Sequence, residues 1–215
     1  MHLIVHHLNN SRSQRILWLL EEIGAPYAIR HYQRDAATNL APAELKAIHP
    51  LGKSPLLEVV DDMAAAGHGR VIQESGAIAE YLCEHHGGQA LVPARGTDDH
   101  IRHLELIHFA EGSAMTPIIL NLYLGRLGDA AAPVKPRIDE QLDAHFRYLD
   151  GELNDAGHFI GDRLSVADIM LSFPAEVAAM GGAGRYPRLA AFAAAMHARP
   201  AWQAARAKGG AYFVF

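Results

Sequence analysis

A single cysteine, Cys83, stands among the 215 residues, so no disulfide can close within the chain, and the composition fits a reducing compartment. No basic run of the kind that tracks a phosphate backbone is present, and the formal net charge is -5. Those two facts argue against a nucleic-acid or anionic-membrane partner. No uncharged apolar stretch reaches the roughly 18 residues that a membrane span needs. The opening MHLIVHHLNN lacks a basic region followed by a long apolar stretch and cleavage site. A cytoplasmic location is therefore expected. The 14 histidines are scattered, and neighbours such as His6-His7 and His85-His86 point their side chains apart, so no metal is expected. Internal repeats and low-complexity tails are also missing.

What is present divides into two halves. Residues 2–6 form a short β-rich run, followed by a polar turn at Asn9-Asn10-Ser11. Ile16, Leu19, Leu20 and Ile23 then recur at helical spacing, and Gly24-Ala25-Pro26 stops the helix. Residues 27–32 read as a second strand and APAELKAIHP as a short helix closed by Pro50. LLEVV at 56–60 and RVIQ at 70–73 read as strands paired across a Gly-containing turn. Ser75 opens a helix that Gly87-Gly88 ends. The expected order over residues 1–87 is β-α-β-α-β-β-α. Residues 88–97, rich in Gly and Pro, read as a linker. Strand signals vanish beyond it, and residues 98–215 read as an all-α domain. Its helices fall at 98–125, interrupted near Pro117, then on the stripe Ile138, Leu142, Phe146, Leu149 and Leu153, then at about 165–181, 187–198 and 200–208.

Three segments of the first half carry polar groups at places where backbone is exposed. In HPLGKSPLLE (49–58), Pro55 cannot donate to a strand ladder. Ser54-Pro55 is either an ordinary strand start or a cis peptide whose residue 54 turns its main-chain groups outward. In Gln73-Glu74-Ser75-Gly76, Ser75 is read at the N-cap of a helix whose free N–H groups attract an anion. Glu74 is placed to pair with an amine. In Asn9-Asn10-Ser11-Arg12-Ser13, a hydroxyl near a helix N-terminus can cap the helix or donate to a thiolate, which the helix dipole also favours. Cys83, inside a helical pattern, reads as a small buried residue. GDRLSVADIM (161–170) reads as a capping box, with Ser165 at the cap, Asp168 three residues on, and Leu164 with Ile169 as the hydrophobic staple.

Taken in order, SRSQRILWLLEEIGAPY, ELKAIHPLGKSPLLEV, VIQESGAIAEYL and GDRLSVADIM resemble the cytosolic glutathione S-transferases over nearly the whole chain. The resemblance implies a thioredoxin-like α/β N-terminal domain, with a cis Ser54-Pro55 bond, followed by an all-α C-terminal domain. It implies glutathione as substrate, a small electrophile as co-substrate, and a homodimer. Glu74 and Ser75 would hold the γ-glutamyl end, Ser54 with Pro55 would present main-chain groups to the cysteinyl unit, and Lys53 would reach the glycyl carboxylate. Ser11 is the favoured thiol-activating hydroxyl, Asn10 a competing amide donor, and Ser13 a helix cap. Arg12 falls where cysteine-type classes carry cysteine, and the first strand and turn hold no Tyr. His108, Met115 and Tyr123 are the expected electrophile-side residues. Transfer to an electrophile is the leading reading. A glutathione-dependent disulfide reductase or peroxidase, and a non-catalytic glutathione-binding module, are the alternatives on the same fold.

Overall fold

The computed structural model describes residues 2–60, 69–182, 184–210 and 212. It divides into two compact units: residues up to Ala90 together with a C-terminal segment from Ala198, and residues Leu91–His197. The first unit opens with β1 (His2–Leu8), α1 (Ser13–Ile23), β2 (Ala28–Tyr32), α2 (Ala43–Ile48), β3 (Leu56–Val60), β4 (Arg70–Gln73) and α3 (Ser75–His85). That is the expected β-α-β-α-β-β-α order. The sheet runs β2-β1-β3-β4, with β1 parallel to β2 and the other two pairings antiparallel. This is the thioredoxin-like arrangement. The Gly-containing turn expected between β3 and β4 falls at 61–68, outside the described residues.

Side-chain alternation along β1 decides what each face buries. Leu8 packs with Leu45 of α2 and Leu56 of β3. On that same face His6 is fully buried. Its Nε2–H donates to Glu58 at 3.2 Å, and its Nδ1 accepts from the Tyr32 hydroxyl at 2.8 Å. Leu3, Val5 and His7 point to the other face, where α1 lies. From Ser13 to Leu20 every residue of α1 is buried, including Trp18 and Arg15. Gly24, with φ 66, ends the helix in the left-handed conformation that glycine adopts without a Cβ clash.

The first unit also contains a helix from the far end of the chain. Counting helices in chain order, it is the ninth, α9 (Pro200–Gly209), and it packs along α1. Arg199 forks onto Glu22, with bonds of 2.6 and 3.0 Å to its two carboxylate oxygens. Lys208 pairs with Glu21, which also accepts from Tyr27 at 2.7 Å. Residues 98–215 were expected to form one helical domain; α9 is helical and clusters with the first compact unit. A stripe of small apolar residues such as Ala205 fits either kind of neighbour.

The second unit is helical: α4 (Asp98–His108), α5 (Met115–Leu124), α6 (Lys135–Glu152), α7 (Val166–Met180) and α8 (Pro187–His197). The interruption expected near Pro117 lies just before it, as a π-helical stretch at Phe109–Ala114. Proline lacks an N–H, and its ring would strike the carbonyl four residues back. Widening the preceding turn moves that carbonyl away. Buried α7 begins at the expected capping box: Ser165 N–H donates to Asp168 at 2.7 Å, and Asp168 N–H to Ser165 Oγ at 3.3 Å. Asp168 also accepts from the Phe159 N–H at 2.9 Å, which fixes the preceding loop. Among the described residues no helix is long and apolar enough to cross a membrane.

Candidate functional site

Three chain segments of the first unit meet at one hollow, lined among others by Arg12, Lys53, Ser54, Pro55, Glu74 and Ser75. The first segment is the β1–α1 turn, the second leads into β3, and the third joins β4 to α3. All five residues expected to bind glutathione therefore come together. His49, Leu51 and Gln73, which the sequence reading left without a role, also line it. Their only signal in the sequence is adjacency to the two motifs. The hollow is polar, with Arg12 and Lys53 supplying positive charge, Glu74 a negative one, and the α3 N-terminus its free N–H groups.

The bond between Ser54 and Pro55 is cis. The Ser54 side chain is committed to the sheet: its hydroxyl donates to His6 O at 2.8 Å and accepts from Leu8 N–H at 3.3 Å. These bonds dock the segment before β3 onto the end of β1. Any contact Ser54 makes with a ligand therefore falls to its main chain.

At the third segment the structure moves the cap by one residue. Glu74, not Ser75, is the N-cap of α3, and it makes no capping bond. Its φ is 69 and ψ 123, a region that a residue with a Cβ enters at a cost of about 1–3 kcal/mol. Strain of that size at a pocket-lining residue indicates that its side-chain direction matters more than its backbone comfort. Ser75, the first residue of the helix, is buried and lines the hollow.

The first segment differs most from expectation. Ser11 is buried and is not among the residues that line the hollow; its Oγ lies 3.5 Å from the Oγ of Ser54, which does line it. Ser11 Oγ accepts the Ser13 N–H at 3.3 Å and lies 2.7 Å from Ser13 Oγ. Ser13 is inside α1 rather than capping it, and its hydroxyl contacts His7 Nδ1 at 2.8 Å. His7 Nε2 in turn lies 3.0 Å from the Gly209 carbonyl of α9. Burial lowers the His7 pKa to about 4, with the Gly209 bond opposing that fall and nearby His31 adding to it, so the ring is neutral. Asn10 adopts a left-handed φ of 49, which Asn tolerates, and its buried Oδ1 has no partner. Arg34 secures this turn. Its Nε donates to Asn9 O at 3.1 Å, its Nη2 to Asn10 O at 3.2 Å, and its own N–H to Asn9 Oδ1 at 2.7 Å.

Cys83 is buried, and desolvation followed by the charge of Glu80 pushes its thiol up to about 12. It is no nucleophile at neutral pH. Of the electrophile-side residues, His108 is exposed at the end of α4, Tyr123 is exposed on α5, and Met115 is core. Met115 and Tyr123 stand eight residues apart on one helix, about 12 Å along its axis, so the three do not converge on one point. Among the described residues no group of three or more His, Cys, Asp or Glu side chains is placed to hold a metal ion.

Comparison with known proteins identifies the family. Residues 2–84 match the family model of the glutathione S-transferase N-terminal domain, and residues 112–200 that of the C-terminal domain. The chain is 34% identical to glutathione S-transferase 1 of Saccharomyces cerevisiae, covering 81% of this chain and 80% of that one. It is 32% identical to glutathione S-transferase 3 of Schizosaccharomyces pombe, covering 80% and 72%. Among solved structures, a glutathione S-transferase from Actinobacillus pleuropneumoniae superposes with a TM-score of 0.79 at 29% identity, covering 96% and 92%. A sphingomonad glutathione S-transferase complexed with glutathione superposes at 0.77 and 27% identity, covering 96% and 98%. This chain belongs to the glutathione S-transferase family of enzymes.

Proposed function

We propose that the chain binds glutathione in the hollow between the β1–α1 turn, Lys53–Pro55 and Glu74–Ser75, and transfers its thiolate to a small hydrophobic electrophile. The observation that carries this reading is the convergence of all five expected contacts on one polar hollow at the N-terminus of α3. Ser75 and the α3 N–H groups take the γ-glutamyl carboxylate, and Glu74 takes its amine. The Ser54 main chain pairs with the cysteinyl unit, and Lys53 reaches the glycyl carboxylate. A free thiol has a pKa near 8.5 and is only a few per cent ionised at neutral pH. One charge-assisted hydrogen bond, at roughly 1.5–3 kcal/mol, lowers that by one to two units. Ser11 is the hydroxyl assigned to this bond, with the Asn10 amide as the competing donor. His108 and Tyr123 retain exposed side chains for an electrophile; Met115 would act only by supporting them. A cytoplasmic homodimer belongs to the same reading.

Glutathione titration by calorimetry tests binding. A panel of chlorodinitrobenzene, an organic hydroperoxide and a mixed disulfide, each with glutathione, then sorts the chemistry. Turnover should be greatest with the first. Turnover confined to the disulfide or hydroperoxide would make the chain a reductase or peroxidase, and binding without turnover would make it a binding module. Sedimentation of the purified chain tests the dimer.

A further inference from the structure

Donor and acceptor identities fix the direction of every proton in the chain Gly209–His7–Ser13–Ser11. The Gly209 carbonyl can only accept, so His7 Nε2, 3.0 Å away, carries the ring proton. The ring is neutral, so Nδ1 is a bare acceptor, and the Ser13 hydroxyl donates to it at 2.8 Å. The other group within reach of that hydroxyl is the Leu8 carbonyl at 3.5 Å, which also only accepts. Ser13 thus has no proton left for Ser11. The 2.7 Å contact between the two hydroxyls requires Ser11 to donate. Ser54 does not alter this, because its own proton is on His6 O and it can only accept at 3.5 Å from Ser11.

We propose that Ser13 and His7 form a positioning pair that holds the Ser11 proton on Ser13 and so sets the acidity of the bound thiol. The inference rests on the glutathione reading above. While its proton lies on Ser13, Ser11 has only a lone pair to offer a bound thiol, which suits a neutral S–H and opposes a thiolate. To donate to the thiolate, Ser11 must abandon Ser13, whose fully buried oxygen then loses a donor. The cost of that exchange is one neutral hydrogen bond, so the pair holds the thiolate-to-thiol ratio about twofold to tenfold below what a free hydroxyl would give. His7 and Ser13 touch no substrate; they act through Ser11.

The test has two arms. In the first, nitrogen NMR of the unliganded wild-type protein reads the His7 tautomer. Nε2–H is expected, and Nδ1–H would overturn the proposal, because Ser13 would then be free to donate to Ser11. In the second, ultraviolet absorbance of the bound thiolate is titrated for wild type, Ser13→Ala, Ser11→Ala and the double variant. Ser13→Ala should raise the thiolate-to-thiol ratio about twofold to tenfold, and should have no effect in the Ser11→Ala background. Ser13→Thr, which keeps the hydroxyl, should return the ratio towards wild type. A ratio that falls, stays put, or rises equally without Ser11 would overturn the pair's role while leaving glutathione binding intact. Failure of the wild type to bind glutathione would instead overturn the function reading, and the thiol consequence with it.

Discussion

Ser75 and Glu74 are adjacent residues for which the structure separates two roles that the sequence merges. With the cap at Glu74 and no capping bond there, the Ser75 hydroxyl is released from structural duty. Ser75→Ala is therefore expected to weaken glutathione binding by about 1–3 kcal/mol, the penalty for a charged group short of a partner. Its unfolding midpoint should hardly move. Calorimetry and thermal melts on the same preparation measure both, and intact affinity with a lowered midpoint would make Ser75 a helix-stabilising residue only. The residues that line the hollow were legible because they sit in short contiguous motifs. The cap position was not, because a serine before a helix reads as a cap until the left-handed φ of Glu74 is seen. Ser11 was read as facing the ligand. Nothing local in the sequence reports that Ser13 and Ser54 lie close enough to occupy its hydroxyl.

Among elements, α9 makes one notably close approach to α1. A Cβ built on Gly209 would come within 2.5 Å of Gln14 Oε1 and 2.9 Å of Leu17 Cδ1. Gly209→Ala must displace the buried ends of the Gln14 and Leu17 side chains, with an expected loss of about 1–3 kcal/mol, read from denaturant midpoints. Unchanged stability would mean that these side chains move aside without loss of packing. From the sequence, Gly209-Gly210 is merely the end of a helix. Strand and helix order was legible because periods of 2 and 3.6 are local properties. The partner of a helix is not local, and the return of α9 to α1 went unseen for that reason. The π-helical stretch before Pro117 was half legible: the proline signals a disturbance, but not the side on which the backbone absorbs it.

For the molecule as a whole, the two buried histidines of β1 predict how stability follows pH. His7 has its folded pKa lowered to about 4 by burial, against about 6.5 in the unfolded chain. His6 is lowered in the same direction, again chiefly by burial, with Glu58 opposing. Between those values the unfolded chain takes up a proton that the folded protein refuses, so the unfolded state is favoured as pH falls. The histidine contribution is complete above pH 6.5. For His7 it should then be lost at about 1.4 kcal/mol per pH unit as the pH drops towards 4, and His6 adds in the same direction. Denaturant unfolding at a series of pH values measures the slope, and His7→Gln, which cannot titrate, should flatten it. An equal slope in that variant would assign the acid sensitivity to other groups.

The contact between His7 and Gly209 also has a temporal meaning, since its two ends are 202 residues apart. A ribosome adds about 5–20 residues per second, so β1 and α1 exist for ten seconds or more before their last helix is made. During that interval the apolar face of α1 that will receive α9 has no cover. Such non-local closure slows folding and leaves surface open to aggregation or chaperones. The hydrogen-bond chain through His7, Ser13 and Ser11 thus lacks its Gly209 end until the second unit has been synthesised.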